Sequence, residues 1–431
     1  MVYVFYDHHG TWQLNCPREY MSSTTSPSFE YDPFSPDVME NPLPYYKELR
    51  DKHPVYYIEK YDGFFFTRFD DIMELLSHTK NELVSSEGPL PTPAFLLQNR
   101  NTEAPAIPPV EPFPLAQQLG QPILADIRRA HDKPMRPKAV KELMDMVRGL
   151  ANERLDLLLP RKQFDLVSEY GGIVSSSVIM HLMGMPLELA EQSLAIINSG
   201  TRTDPDSGGF DSRAVANKAL ELYLPYVQAR MDAGPDGSVP MIDGLFKYRI
   251  NGKPLTAPEV ARQLTCAFIG GIETVPKVTA VGLMELLARP DQLAAVRSDL
   301  QTNVPKVVEE MLRFCAPAQW FMRTVHKPIT VCGQEIKPGQ RVFAVYASAL
   351  RDEREFDRPN EFIWDREIPR VMTFGQGPHF CIGIHLARME IRILVEEFLK
   401  RVDKVHFDMD KAVRHPSSFQ WGWNNLPVVI E

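Results

Sequence analysis

From Ile123 to about Leu300 apolar residues recur at helical spacing with hardly a break. No other feature limits the fold so strongly. VKELMDMVRGLANERLDLLL and PEVARQLTCAFIGGIETVPKVTAVGLMELLA both keep an apolar stripe at i, i+3, i+4 and i+7. The second is long and carries Gly270 and Gly271 in its middle. Such a stretch does not alternate with strands, which argues against doubly wound and barrel folds. Strand patterns flank it. VYYIEKYDGFFFTRF reads as two strands around an Asp-Gly turn, PITVCGQEIKPGQRVFAVYA as further strands, and FQWGWNNLPVVI as a strand pair. The helices NPLPYYKELRDKHP, DDIMELLSH, KVVEEMLRFC and IHLARMEIRILVEEFLKRV complete the pattern. The fold class expected is mainly α with a smaller β part (α+β), in a single large domain over residues 31–431.

Two segments stand apart. Residues 1–30 read as a disordered extension, and Met21 opens a polar lead-in that would suit an alternative start. Residues 83–122 hold nine prolines and no clean period. They read as a long irregular loop, with Phe95, Leu96, Leu97, Ile107, Phe113 and Leu115 laid on the protein.

The formal net charge of -9 argues against nucleic acid as a partner. The five cysteines (Cys16, Cys266, Cys315, Cys332 and Cys381) are odd in number and widely spaced, with no CxxC pair. A disulfide framework and a structural zinc site are therefore not expected. No apolar run reads as a membrane span, and the N-terminus lacks the pattern of a signal peptide. A cytoplasmic monomer with no membrane partner is the expectation.

The chemistry concentrates in FGQGPHFCIGIHLARME, residues 374–390. One cysteine sits in a loop bracketed by Gly375, Gly377 and Gly383, just before a helix N-terminus. Those glycines allow sharp bends and close approach to a flat partner. The helix amides and dipole favour a thiolate, a soft-metal ligand. A lone cysteine among glycines reads as readily as a structural thiol. The complete string settles more, because it resembles the cytochrome P-450 haem-binding signature FGxGxHxCxG at every fixed position.

That resemblance implies haem b bound through Cys381, with Phe374 beside the ligand and His379 near a propionate. It extends from about Tyr31 to the end. Glu310 and Arg313 match the family's ExxR pair, and Arg366 matches the arginine that joins it; the triad is expected to brace the cysteine loop. Taken alone, ExxR is a common surface ion pair. Gly270-Gly271-Ile272-Glu273-Thr274 is similar to the oxygen-activation segment, with Thr274 and Glu273 as the alcohol and acid that deliver protons. Paired glycines also serve plain helix–helix contacts. Arg128 and Arg323 match propionate-binding arginines, although either alone reads equally as a surface residue. Leu124 and Val371 stand where many members have histidines, and Arg370 is a candidate replacement.

The implied activity is a monooxygenase that oxidises a small to medium hydrophobic molecule with dioxygen. Its pocket is expected to draw on Phe268, Ala318, Gln319, Trp320, Phe419 and Gln420, with Gln319 and Gln420 as polar anchors, while Trp320, Trp421 and Trp423 read equally as core. No flavin or iron–sulfur segment is recognisable. Electrons are expected from a ferredoxin and its reductase, docked on the basic cluster Arg128, Arg129, Lys133, Arg136 and Lys138, which reads equally as a solvated helix end. Two rivals remain open: a peroxygenase, which would be expected to lack the Glu273–Thr274 pair, and a non-catalytic haem sensor or carrier.

Overall fold

The structure is a computed structural model of the chain. It describes residues 4–6, 12–14, 29–78, 83–84, 90–91, 93–98, 115–201, 212–414 and 417–431. The main helices in chain order are α1 (Leu43–Lys52), α2 (Phe69–Ser77), α3 (Ile123–His131), α4 (Met144–Leu158), α5 (Gly172–Leu182), α6 (Ser212–Ala233), α7 (Ala257–Leu287), α8 (Leu300–Cys315) and α9 (Ile384–Arg401). The strands used below are β1 (Val4–Tyr6), β2 (Trp12–Leu14), β3 (Val55–Ile58), β4 (Gly63–Phe66), β5 (Leu83–Val84), β6 (Gln163–Asp165), β7 (Phe321–Val325), β8 (Ile329–Val331), β9 (Gln334–Ile336), β10 (Arg341–Ala344), β11 (Val405–Phe407) and β12 (Pro427–Ile430).

The β part is a five-stranded sheet of order β3-β4-β10-β7-β5. Asp62 takes a left-handed φ of 46° and turns β3 back onto β4. β4 then pairs in parallel with β10, Phe65 opposite Phe343. Their rings stack with centroids 4.1 Å apart. An aromatic core under this sheet packs Tyr31, Tyr46 and Phe65 against Trp320 and Phe343. The helical core is larger and centres on α7, which packs against α5, α6, α8 and α9. A capping box between Thr256 and Glu259 starts α7. The helix is 31 residues long and holds an 18-residue window of mean hydropathy 1.3, so it is long and apolar enough to cross a membrane, contrary to the expectation of no such run. Here it is the central helix of the core.

Other expectations shift. Phe29 already stacks on His53, so ordered packing starts just inside the segment assigned to the disordered extension. β1 and β2 pair as an antiparallel ribbon; the rest of residues 1–28 lies outside the described set. Much of the proline-rich stretch, with Ile107 and Phe113, lies outside it too. Its described parts include β5, which pairs with β7, and a helix over Pro93–Gln98 that buries Leu96 and exposes Leu97. The strand pair expected within FQWGWNNLPVVI does not form. Only β12 is a strand there, and its partners β11 and β6 come from elsewhere in the chain. Gln420 and Asn425 instead make single bridges to Ala318 and Val413.

Candidate active site

The cysteine loop is built from two left-handed glycines, Gly375 at φ 70° and Gly377 at φ 74°. They fold the chain so that the Cys381 amide donates to the Phe374 carbonyl at 3.0 Å. Gly383 precedes α9, and its backbone amide bonds the Cys381 thiol, which favours the thiolate. Burial acts the other way and is stronger, so the thiol stands above its ordinary pKa, with Arg128 opposing. Phe374 sits under the Arg388 guanidinium, 4.9 Å from the ring centroid.

Behind the loop lies a buried ionic knot. Arg313 donates to Glu310 at 2.7 and 2.8 Å, one turn apart on α8. Arg366 Nε adds bonds to the same carboxylate at 3.2 and 3.1 Å. The Ile363 amide donates to Glu310 Oε1 at 2.9 Å. Arg313 also donates to the carbonyls of Leu350 and Pro359, at 2.8 and 2.9 Å. Thr373, just before Phe374, donates to the Leu312 carbonyl at 2.9 Å. The end of α8 is thereby tied to both the preceding coil and the start of the cysteine loop.

In front of the loop lies a mostly apolar cavity, whose walls include Cys381, Phe374, Gly375, His379, Gly383, Gly270, Gly271, Glu273 and Thr274. One face of α7 supplies Cys266, Gly270, Thr274 and Lys277. Thr274 Oγ1 donates to the Gly270 carbonyl at 2.8 Å. A Cβ at Gly270 would meet nothing within 4 Å. A Cβ at Gly271 would come within 2.3 Å of Ile179 on α5. The two glycines thus have different reasons: Gly270 borders open space, and Gly271 permits helix packing.

Ala318, Phe419 and Gln420 line the cavity, whereas Phe268, Gln319 and Trp320 do not. Phe268 lies two residues before Gly270, about 200° around the helix, and packs on Tyr223 instead. Gln319 is buried and holds the Ser417 carbonyl at 2.9 Å, while accepting from Tyr46 at 2.8 Å. Trp320 belongs to the aromatic core under the sheet. Arg370 also moves out of the site. It is paired with Asp70 and Glu355 and stacked over Phe69.

The electrostatics of the cavity call for an anion. Arg323, on β7, is buried, and its Nε has no hydrogen-bond partner. Desolvation lowers the pKa of both Arg323 and Arg128. Burial, with these two cations beside it, pushes His379 down to about 3. Arg128 donates to the carbonyls of Pro378, at 2.6 Å, and of Phe380, so it also braces the loop. Among the described residues no group of three His, Cys, Asp or Glu could hold a bare metal ion. One thiol, an apolar wall and converging cations instead fit haem b, which brings its own equatorial ligands and two carboxylates.

Several residues on this cavity escaped sequence reasoning. The Cys266 thiol opens into the cavity and burial pushes it up to about 11. Glu390, on α9, accepts from Ser175 at 3.0 Å, and burial raises it to about 8. Lys277 was missed although its spacing from Glu273, i and i+4, was a signal. The pair is 2.9 Å apart, with both side chains about 5% exposed.

The family model described as Cytochrome P450 matches residues 213–423. "Putative cytochrome P450 126" of Mycobacterium tuberculosis is 30% identical over 308 residues, 69% of this chain and 73% of that protein. "Putative cytochrome P450 123" of the same organism is 29% identical over 406 residues, 94% of this chain and 98% of that protein. The substrate-free structure of Mycobacterium marinum cytochrome P450 CYP150A6 superposes with a TM-score of 0.77 at 24% identity, covering 93% of this chain and 98% of that one. Cysteine loop, fold and kinship agree: the chain belongs to the cytochrome P450 family of haem-thiolate monooxygenases.

Proposed function

We propose that this monooxygenase oxidises a small to medium apolar molecule, with electrons from an external ferredoxin and Cys381 as the residue that would hold the haem iron. The observation that carries the reading is the Cys381 thiol on the wall of an apolar cavity that also holds Thr274 and Glu273. When bound, haem supplies the reductive activation of dioxygen and the transfer of one oxygen atom. The protein's residues do the rest. The Gly383 amide and Arg128 favour the Cys381 thiolate that would hold the iron. Arg323, Arg128 and His379 would hold the haem carboxylates. The Glu310 knot keeps the loop rigid.

Thr274 holds a hydroxyl at the cavity wall, free to exchange its Gly270 acceptor for a partner in the cavity. Glu273, the residue before Thr274, also borders the cavity, held by Lys277 at 2.9 Å, and is the acid–base group that would pass protons on. Apolar side chains such as Ile269, Val275, Phe321 and Phe419 exclude water and orient the substrate. Replacing Thr274 with Ala is expected to leave electron consumption running while product per electron pair falls, on the order of a hundredfold. Product, peroxide and reduced nicotinamide measured together decide this; unchanged coupling would remove Thr274 from proton delivery.

The ferredoxin site is read from the basic cluster. Arg128 faces inward, whereas Arg129, Lys133, Arg136 and Lys138 are exposed, and the segments carrying Lys133 and Lys138 lie against α9, which follows the cysteine loop. Arg129 and Arg136 are paired locally with Asp126 and Asp132. The sharper test is therefore Lys133→Glu with Lys138→Glu. First-electron transfer from an acidic ferredoxin at low salt is expected to slow about tenfold and to lose salt dependence. Unchanged rates would place docking elsewhere. The whole reading is tested by the spectrum of the purified protein, reduced with dithionite under carbon monoxide. A strongly red-shifted Soret band is expected, and absence of any haem band after expression with ample haem would refute it.

A further inference from the structure

Lys277 is a lysine placed where lysines are rarely found. It is 4% exposed, on the central helix, and borders the cavity. Its ammonium has two acceptors among the described residues, Glu273 Oε1 at 2.9 Å and Gln420 Oε1 at 2.8 Å. An ammonium has three donors and no acceptor. One N–H is therefore left over.

The same logic fixes Gln420. Only its oxygen can face the ammonium, so its amide nitrogen must point away. That nitrogen has no hydrogen-bond partner among the described residues, and Gln420 also borders the cavity. The C-terminal segment is fitted over the lysine stem. A Cβ at Gly422, which has φ 127°, would stand 3.2 Å from Lys277 Cβ. The wall of an otherwise apolar cavity thus carries two donors held side by side by a shared hydrogen bond. Glu273 already balances the positive charge, so an anionic ligand has no net attraction to gain.

Resting on the monooxygenase reading, we propose that Lys277, with Gln420, is a specificity-determining anchor for a neutral acceptor oxygen on an otherwise apolar substrate. The simplest such group is a ketone carbonyl. A hydrocarbon of the same shape leaves both donors desolvated and unpaired, which is why the discrimination is large.

The test uses haem-loaded protein and matched ring compounds, cycloalkanones and cycloalkanes from eight to fifteen carbons. Binding is followed by calorimetry and by the Soret shift. The best-fitting ketone is expected to bind roughly ten- to a hundredfold tighter than its hydrocarbon. In Lys277→Met that ratio falls toward one while the hydrocarbon's own affinity stays the same, a split that general damage would not produce. Lys277→Met can destabilise by stranding the Glu273 charge, so Lys277→Met with Glu273→Gln is measured beside it, and Gln420→Leu should lower the ratio partway. Equal affinities at every ring size, no saturable binding, or a ratio kept in both lysine variants would overturn the proposal. The reduced, carbon monoxide spectrum of each variant separates the two levels. A normal red-shifted band with no ketone preference sinks the anchor alone, and a missing band in the parent protein sinks the monooxygenase reading and the anchor with it.

Discussion

Cys381→Ala is expected to abolish the red-shifted band of the reduced, carbon monoxide-treated protein and to reduce oxygenation to background, while Cys266→Ala keeps both. The two thiols make this a real choice, since both border the cavity and burial raises both. They differ in what faces the sulfur. Cys381 has the Gly383 amide, and it stands in a loop pinned by its own bond to Phe374 and by Arg128. Cys266 projects from the flank of α7 in its first half, and the Cys381 charge raises it further. A thiolate beside backbone amides at the head of a helix is stabilised where one on a helix flank is not. Loss of the band in Cys266→Ala with retention in Cys381→Ala would reverse the assignment.

Glu310→Ala is expected to cost about 5 kcal/mol, near the top of the range for breaking a buried ion pair. One carboxylate serves two buried guanidiniums and the Ile363 amide, so its removal leaves both cations without a counter-charge and the amide without its acceptor. Arg313→Lys should cost less. It keeps a charge against Glu310 but gives up the planar fork that reaches the Leu350 and Pro359 carbonyls at once. Urea unfolding read together with haem retention checks both variants. Because Thr373 and Arg366 connect this knot to the cysteine loop, haem loss should precede global unfolding in Arg313→Lys. Parent-like stability in Glu310→Ala would mean that the knot is ornamental.

The sequence was most readable where chemistry is local. The cysteine loop declares its glycines, cysteine and helix start within ten residues, and Glu310 and Arg313 share one turn. The β3–β4 hairpin was readable from Asp62-Gly63 because its turn lies between its strands. What failed depended on direction. Phe268 was grouped with Gly270 by position in the chain, although two residues along a helix point to nearly opposite sides. Gln319 and Trp320 were placed with Ala318, yet one ties down the chain near Ser417 and the other packs against Phe343. The strand near the C-terminus was foreseen, but its partners lie far away in the chain, and no local pattern encodes such pairing. Lys277, Glu390 and Cys266 became visible only once the surrounding elements enclosed a cavity.

The polar pair on α7 also bears on the chain before it is folded. A 31-residue helix with so apolar an 18-residue window, emerging from a ribosome, resembles a segment that an insertion apparatus would hand to a bilayer. Lys277 sits five residues past its midpoint, where a lysine raises the free energy of entry by about 2.5–3.5 kcal/mol. Glu273 adds a second charge one turn away. The lysine that gives the folded cavity a polar end therefore also discourages the nascent helix from partitioning into lipid, and Lys277→Leu would remove both properties in one step.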